Sequence, residues 1–217
     1  MNVIAINGSP RKTWNTATLL QHALDGAVST GATGELIHLY DYEYTGCTSC
    51  FACKLKGGKS YGRCARRDGL TPVLEKMAGA DAIILGSPIY LGTVTGMMRC
   101  FMERLVFPYL VYAQPPVSLF PKKIPSAFVY SMNAAADQIP ETGYQVHFSA
   151  NSMIMERMFG GPCESLLACE TRQFEDYQKV VFSYVDPDER VQKAQARFPV
   201  DCAEAYQLGI RLTTREG

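Results

Sequence analysis

The sequence predicts an α/β domain in which five parallel strands form a sheet with helices on both faces. Short apolar runs, which fit strands buried on both faces, alternate with segments whose apolar residues recur every three or four positions. Such alternation is typical of parallel strands joined by helical crossovers. The 217 residues, 47% hydrophobic and 19% charged, suffice for one domain with a continuous core. We therefore expect a single domain over residues 1–217.

The predicted elements follow the chain in order. Strands are expected at residues 3–6, 36–39, 82–85, 126–132 and 166–169. Amphipathic helices are expected at residues 15–29, 68–78, 96–107 and 151–159, and a last helix is expected to open at a capping box formed by Asp201 and Glu204. No clear period marks residues 133–149, which predicts a long loop. Ligands of such sheets bind at the carboxyl ends of the strands, in the loops after residues 6, 40, 85 and 132.

The charge of the chain is balanced, with 21 basic and 21 acidic residues. This balance predicts neither a nucleic-acid partner nor attraction to an anionic membrane. The apolar start of the chain lacks the basic region of a signal peptide, and no apolar run approaches the ~18 residues of a membrane span. These features favour a soluble, cytoplasmic protein.

The loop after the first predicted strand carries groups that bind phosphate. They come together at the start of a predicted helix and are the hydroxyls of Ser9, Thr13 and Thr16, the amide of Asn15 and the cations of Arg11 and Lys12. The free N–H groups of a helix N-terminus add to them, and the combination fits a phosphate monoester. The chain has no G-x-G-x-x-G motif here, so a dinucleotide pyrophosphate fits less well. The alternative is an ordinary helix-capping turn.

The loop after the third predicted strand offers apolar and aromatic surface beside the first loop. It contains the run Pro88, Ile89, Tyr90, Leu91 and Gly92. A flat heteroaromatic ring that stacks and is held at its polar edge needs such a wall. The alternative is a hydrophobic loop that packs on its neighbours.

Together these loops resemble those of a known family. The matching segments are Gly8-Ser9-Pro10-Arg11 with Asn15-Thr16, Gly86-Ser87-Pro88-Ile89-Tyr90, Gly96 to Arg99, and Glu103-Arg104-Leu105. From Met1 to about Met132 the chain resembles the NAD(P)H-dependent FMN reductase and iron-sulfur flavoprotein group of the flavodoxin-like superfamily. The part from about residue 133 departs from the compact pattern of that group.

This resemblance implies a flavodoxin-like fold with strand order 2-1-3-4-5, FMN as cofactor and NADH or NADPH as electron donor. It also implies a homodimer or larger homo-oligomer, with the helix at residues 97–107 as a candidate interface. By resemblance, Ser9, Arg11, Asn15 and Thr16 would hold the FMN phosphate and the start of the ribityl chain. The isoalloxazine ring would be edged by Pro88, Ile89, Tyr90 and Gly92 on one side and by Ser131 to Ala134, including Asn133, on the other.

A cysteine-rich loop at residues 45–67 carries a second candidate site. Cys47, Cys50 and Cys53 have the spacing of ferredoxin ligands, and Cys64 follows after ten residues. Four thiolates can hold a [4Fe-4S] cluster or a zinc ion, and free thiols are the third alternative. The segment also resembles the cluster motif of iron-sulfur flavoproteins. Its positive charges could offset an anionic cluster, receive the phosphates of a nicotinamide cofactor, or simply be solvated; they are Lys54, Lys56, Lys59, Arg63, Arg66 and Arg67.

No Ser-His-Asp triad, paired-carboxylate site or His-rich metal site is evident in the sequence, so no catalytic side chain is predicted and hydrolase chemistry has no support. The favoured function is an FMN-dependent oxidoreductase that passes electrons from NAD(P)H to a quinone, a flavin or another small acceptor. A second hypothesis is an iron-sulfur flavoprotein that exchanges electrons with a ferredoxin-like partner. A third is a binding module that keeps the fold without flavin.

Overall fold

The structure, a computed structural model, describes residues 1–183 and 185–214. Its strands are β1 (Asn2–Asn7), β2 (Thr33–His38), β3 (Ala82–Tyr90), β4 (Thr93–Val94), β5 (Leu110–Val111), β6 (Val117–Ser118), β7 (Ile124–Ser131) and β8 (Gly160–Ala168). Its α-helices are α1 (Asn15–Ser29), α2 (Thr71–Met77), α3 (Gly96–Val106), α4 (Ile139–Thr142), α5 (Tyr144–Phe159) and α6 (Pro187–Thr214). Within the described ranges, no helix is both long enough and apolar enough to cross a bilayer.

The five long strands are all parallel and lie in the order β2-β1-β3-β7-β8. Counted along the chain, this is the predicted order 2-1-3-4-5, so the flavodoxin-like prediction is confirmed. The sheet differs from the prediction by one short strand, β4, which pairs antiparallel with the end of β3. A separate two-stranded ribbon is formed by β5 and β6. Strands of two residues are too short to leave an alternating pattern in the sequence, which is why they were not predicted.

Side chains of the central strands alternate between two buried layers. Val3 and Ala5 of β1 face the layer of α1 and α6, whereas Ile4 and Ile6 face the layer that contains α3 and α5. Strands buried on both faces read as continuous apolar runs, and this is why the sheet was predictable.

Helices α1 and α6 pack with their backbones in contact. A Cβ atom added at Gly209 would lie 1.8 Å from the carbonyl oxygen of Ala23, and one at Gly26 would lie 1.9 Å from that of Tyr206. Both positions therefore require glycine. The contact fixes α6 beside α1, on the same face of the sheet.

Two predictions for the C-terminal half were wrong. The long loop expected at residues 133–149 contains α4 and the first turns of α5. Residues of this part of α5 such as Val146 and His147 are exposed, and an exposed apolar residue hides the helical period in the sequence. Helix α6 begins at Pro187 rather than near Asp201 and continues through Pro199. Its first half is mostly polar, and the internal proline is normally a helix-stop signal.

Candidate functional site

A cleft of about 130 Å³ lies at the carboxyl ends of β1, β3 and β7. We call it the strand-end cleft. Its volume is below the ~300 Å³ at which pockets hold a whole drug-sized ligand, so it would enclose one part of a larger molecule. It is lined by Ser9, Arg11, Trp14, Asn15, Thr16, Pro88, Ile89, Tyr90, Ser131, Met132, Asn133, Thr171, Arg172 and Gln173.

Asn7, the last residue of β1, fixes the shape of the loop that follows. Its Oδ1 accepts a hydrogen bond from the backbone N–H of Ser9 at 3.0 Å, and its Nδ2 lies 2.9 Å from Nδ1 of His38. The Ser9 hydroxyl in turn accepts the N–H of Arg11 at 3.1 Å. These hydrogen bonds from side chains at the strand ends therefore fix the conformation of the loop.

The N-terminus of α1 opens into this cleft without a cap of its own. Its N-cap residue is Trp14, whose side chain makes no capping hydrogen bond. The buried hydroxyl of Thr16 lies 2.7 Å from that of Ser131, at the end of β7. Uncapped N–H groups and paired hydroxyls at a helix start form a binding site for an anion.

We expect the stability of this region to depend on the charge of His38. Burial lowers the pKa of His38 below its ordinary value of 6.5, Lys12 lowers it further, and Asp41 opposes them. Neutral His38 can accept from Asn7 Nδ2, whereas its protonated form cannot. Because the unfolded chain then binds a proton that the folded chain excludes, stability is expected to fall as the pH drops through 6.5.

The measurement is the chemical-denaturation midpoint of FMN-free protein between pH 7.5 and 5. His38→Gln supplies an amide oxygen that accepts from Asn7 without titrating, so the loss at low pH is expected to be smaller in this variant. An identical pH dependence in wild type and His38→Gln would show that this histidine does not control the loop.

The second wall of the cleft comes from the end of β3. Thr95 ties it to the first loop, since its Oγ1 donates to the Gly8 carbonyl at 2.7 Å and its N–H donates to Ser87 Oγ at 3.0 Å. Pro88 and Ile89 line the cleft, and Tyr90 beside them is 48% exposed. An apolar and partly open wall next to polar loops suits a ring that must also meet a second substrate.

Besides Thr13 and Ala134, neither of which lines the strand-end cleft, three of the residues predicted for cofactor binding lie outside it. Leu91 is fully exposed at the tip of the hairpin between β3 and β4, in a left-handed conformation with φ of 50°. Gly92 lies against Tyr144 of α5. Lys12 points away and forms an ion pair with Asp41. The hairpin turn between β3 and β4 places Leu91 and Gly92 outside the cleft, and the ion pair with Asp41 does the same for Lys12. Neither feature was predicted from the sequence.

A segment that follows β8 closes the cleft from the other side, and the sequence analysis missed it. The Arg172 carbonyl accepts from Trp14 Nε1 at 3.0 Å and from Asn15 Nδ2 at 2.8 Å. The Gln173 carbonyl accepts from Arg11 at 2.6 Å. These contacts join positions more than 150 residues apart, and backbone carbonyls carry no sequence signature, so no local pattern could have revealed them. Thr171, whose hydroxyl donates to the Met132 carbonyl at 3.1 Å, was missed for the same reason, whereas Met132 lies within the predicted range Ser131 to Ala134.

One acceptor in the cleft is buried and unused. The Oδ1 atom of Asn133 has no hydrogen-bond partner among the described residues. A buried polar atom without a partner is costly and marks a place where a ligand donor is expected. Isoalloxazine carries a ring N–H that can donate to this oxygen, so the unused acceptor fits the flavin that the resemblance implies.

The four clustered cysteines converge on a second, much smaller cavity. Cys47, Cys50, Cys53 and Cys64 all line a space of about 20 Å³ against the C-terminal half of α3. Left-handed turns at Ser49 and Phe51, both with φ of 53°, bend the chain around it. Burial raises the pKa of the Cys53 thiol. As they are placed, no three His, Cys, Asp or Glu side chains of the described residues are grouped tightly enough to hold a metal ion.

A buried arginine of α3 holds both ends of the cysteine-rich loop. Arg104 is 2% exposed and donates to the carbonyl oxygens of Thr45 and Arg66, each at 3.2 Å. It also forms an ion pair of 2.5 Å with Asp68. Burial opposes its charge, but Asp68 and the neighbouring Cys64 raise the pKa of Arg104, so it stays cationic. The position of the four thiols therefore depends on one internal cation.

The basic run of this loop is not one uniform surface. Lys54 donates its ammonium protons to the carbonyl oxygens of Phe107, Pro108 and Leu110, and it lies 4.5 Å from the centre of the Phe107 ring. Its role is to satisfy carbonyls that follow α3. A surface that attracts anions would have to use the other cations of the run.

Comparison with known proteins agrees with these observations. Residues 1–155 match the family model described as NADPH-dependent FMN reductase. An iron-sulfur flavoprotein of Archaeoglobus fulgidus is 44% identical over 104 residues, which are 48% of this chain and 48% of that protein. An iron-sulfur flavoprotein of Methanocaldococcus jannaschii is 40% identical over 104 residues, 48% of this chain and 51% of that protein. The chain thus spans about half the length of the curated relatives it matches.

Solved structures share the fold at low sequence identity. An azoreductase from Bacillus anthracis superposes with a TM-score of 0.68 at 16% identity, over 97% of this chain and 99% of that one. An NAD(P)H:quinone oxidoreductase from Methanothermobacter marburgensis superposes with a TM-score of 0.69 at 13% identity, over 98% of each chain. At such identities the comparison establishes the architecture alone.

Proposed function

The chain belongs to the NADPH-dependent FMN reductase family, and from this premise we propose that it is an FMN-dependent oxidoreductase that takes electrons from NADH or NADPH. The electrons pass on to a quinone, a free flavin or another small acceptor. Related folds include an FMN-dependent NADH-azoreductase in complex with FMN and an NAD(P)H:quinone oxidoreductase. These names support the reaction class and leave the acceptor of this chain open.

The observation that carries the proposal is the strand-end cleft. It combines an uncapped helix N-terminus, the paired hydroxyls of Thr16 and Ser131, and the cation Arg11. It also has the apolar wall of Pro88 and Ile89 and the unused acceptor of Asn133. A phosphate monoester on a flexible chain that ends in a flat polar-edged ring matches this set of groups.

The protein's own part in the reaction is to bind and orient. Ser9, Asn15 and Thr16 would hold the phosphate and Pro88, Ile89 and Tyr90 would edge the ring, as the resemblance implies. When bound, the flavin supplies the redox chemistry. The half-exposed side of Tyr90 leaves one approach to the ring open, from which a nicotinamide and then an acceptor would enter in turn.

A second candidate function is an iron-sulfur flavoprotein electron carrier, favoured by the convergence of four thiols on one cavity. Cys47, Cys50, Cys53 and Cys64 would hold a [4Fe-4S] cluster, which supplies one-electron transfer when bound. Curated relatives named iron-sulfur flavoproteins support this candidate. In that case a ferredoxin-like protein would be the electron partner. The present spacing of the thiols would have to tighten around the cluster.

We also propose that the protein is a homodimer or a larger homo-oligomer. Beside α3, apolar side chains surround an open cavity of about 380 Å³. Among them Phe51 is 50% and Tyr112 is 73% exposed. A patch of this kind on α3 is where a second copy would bury apolar surface.

The deciding experiment is a visible spectrum and an electron-transfer assay. After incubation with FMN and gel filtration we expect a yellow protein with stoichiometric flavin. It should oxidise NADPH in the presence of a quinone, and FMN-free protein should not. A colourless protein after this treatment would contradict the proposal and favour the flavin-free binding module.

A further inference from the structure

A further cavity lies between the cysteine-rich loop and helices α2 and α3. We call it the basic cavity. Its volume is about 320 Å³, and it shares no lining residue with the strand-end cleft. Along α3 it is displaced from the cleft, because Arg104 follows Thr95 by nine residues, which corresponds to ~13 Å of helix. The basic cavity is thus separate from the strand-end cleft, and it adjoins the thiol-lined cavity, with which it shares Cys64, Arg66, Arg104 and Pro108.

Its lining has two chemically different halves. The loop contributes the cations Lys59, Arg63, Arg66 and Arg67, and α3 contributes Arg104. The opposite wall is uncharged and comes from Leu74, Leu105, Pro108 and Tyr109. A concave site of this volume falls in the ~300 to 1,000 Å³ range of small-molecule pockets. It offers charge to one end of a ligand and apolar surface to the other.

The positive charge of the basic cavity is only partly neutralised. Asp68 pairs with both Arg66 and Arg104, and Glu75 pairs with Arg67. With five cations and two carboxylates, three positive charges of the cavity remain uncompensated. The side chains of Lys59 and Arg63 form no ion pair or hydrogen bond with any described residue. An unpaired pair of cations at a concave surface attracts an anion.

The buried floor of the cavity adds an independent observation. The Nε–H of Arg104 has no hydrogen-bond partner among the described residues, although the side chain is almost fully buried. A buried donor without a partner is costly. An anionic oxygen bound in the cavity, or a water bound with it, would satisfy this donor.

We propose that the basic cavity binds a phosphorylated nucleotide, with its phosphates on Lys59 and Arg63 and its ring on the wall of Leu74, Leu105 and Tyr109. A compact phosphate on two cations and a flat ring on apolar surface account for both halves of the lining. A protein partner would meet the same cations but would not need an enclosed apolar wall. The ligand chemistry, a nucleotide phosphate, is common to free nucleotides and to the adenylate half of NADPH.

The test is calorimetric titration of FMN-saturated protein with ADP, with adenosine as the uncharged control. ADP is expected to bind at least tenfold more tightly than adenosine. The double variant Lys59→Ala/Arg63→Ala should weaken ADP at least tenfold. Lys56→Ala removes the same kind of charge from an exposed position of the loop that does not line the cavity, and it should leave ADP affinity unchanged.

Competition identifies the source of the nucleotide. Displacement of ADP by NADP⁺, together with a raised KM for NADPH in the double variant, would assign the site to the nicotinamide cofactor. ADP binding that NADP⁺ does not displace would assign it to a free nucleotide. No ADP binding, or equal ADP affinity in wild type and the double variant, would overturn the proposal. FMN content of each variant, read from its absorbance, keeps this outcome distinct from failure of the flavin site.

Discussion

If the protein acts as the iron-sulfur flavoprotein of the second candidate function, iron and acid-labile sulfide are expected at about four atoms each per chain after purification under strict anaerobiosis. Single Ser substitutions at Cys47, Cys50, Cys53 or Cys64 should each remove most of both. The four side chains line one cavity, so a cluster there would lose a ligand, and with it its integrity, in every variant. Free thiols would instead tolerate each substitution independently.

Two other cysteines provide matched controls. Cys100 lies next to the loop, with its sulfur 3.3 Å from the place a Cβ atom on Gly46 would occupy, but it does not line the cavity. Cys169 lies beyond the end of β8, where burial and the nearby Asp201 raise its pKa to about 11. Cys100→Ser and Cys169→Ser should keep the iron of the wild type. Wild-type protein that contains FMN and oxidises NADPH but holds no iron would contradict the cluster and leave a simple flavin reductase.

The central strands were predictable because each carries a local signal, whereas β8 was predicted only at residues 166–169 because its first six residues contain no apolar run. Strands such as Val3 to Ile6 are apolar without interruption, since they are covered on both faces. The start of α1 at Asn15 was predicted correctly because the helical period begins at once after a turn. Helix α6 was predicted only in part. Its first half consists mainly of polar residues and shows little apolar period, and Pro199 inside the helix reads as a stop signal.

The loops of the candidate site were predictable and their connections were not. Ser9 and Thr16 could be found because phosphate-binding groups follow a strand within a few residues. The carbonyl of Arg172 could not, since it reaches the cleft only through the position of β8 beside β7. Arg104 belongs to one of the segments that match the family. Its hydrogen bonds to the two ends of a loop some 40 to 60 residues earlier in the chain arise only from three-dimensional packing, so no local pattern predicts them.

FMN is expected to bind at least tenfold more weakly to Thr16→Val protein than to wild type. The substitution keeps the shape of a buried side chain and removes its hydroxyl, which pairs with Ser131 at the N-terminus of α1. A hydrogen bond to a charged phosphate contributes ~1.5 to 3 kcal/mol, and 1.4 kcal/mol corresponds to about a factor of ten. The measurement is the dissociation constant of FMN from quenching of flavin fluorescence.

Riboflavin separates loss of phosphate binding from general damage to the cleft. It carries the same ring without the phosphate, so we expect it to bind wild type more weakly than FMN and to bind both proteins with similar affinity. Thr13→Ala removes a hydroxyl from the same loop at an exposed position outside the cleft and should leave FMN affinity unchanged. If Thr16→Val weakens FMN and riboflavin equally, or if wild type binds the two equally well, this loop does not bind the phosphate and the flavin must be held elsewhere.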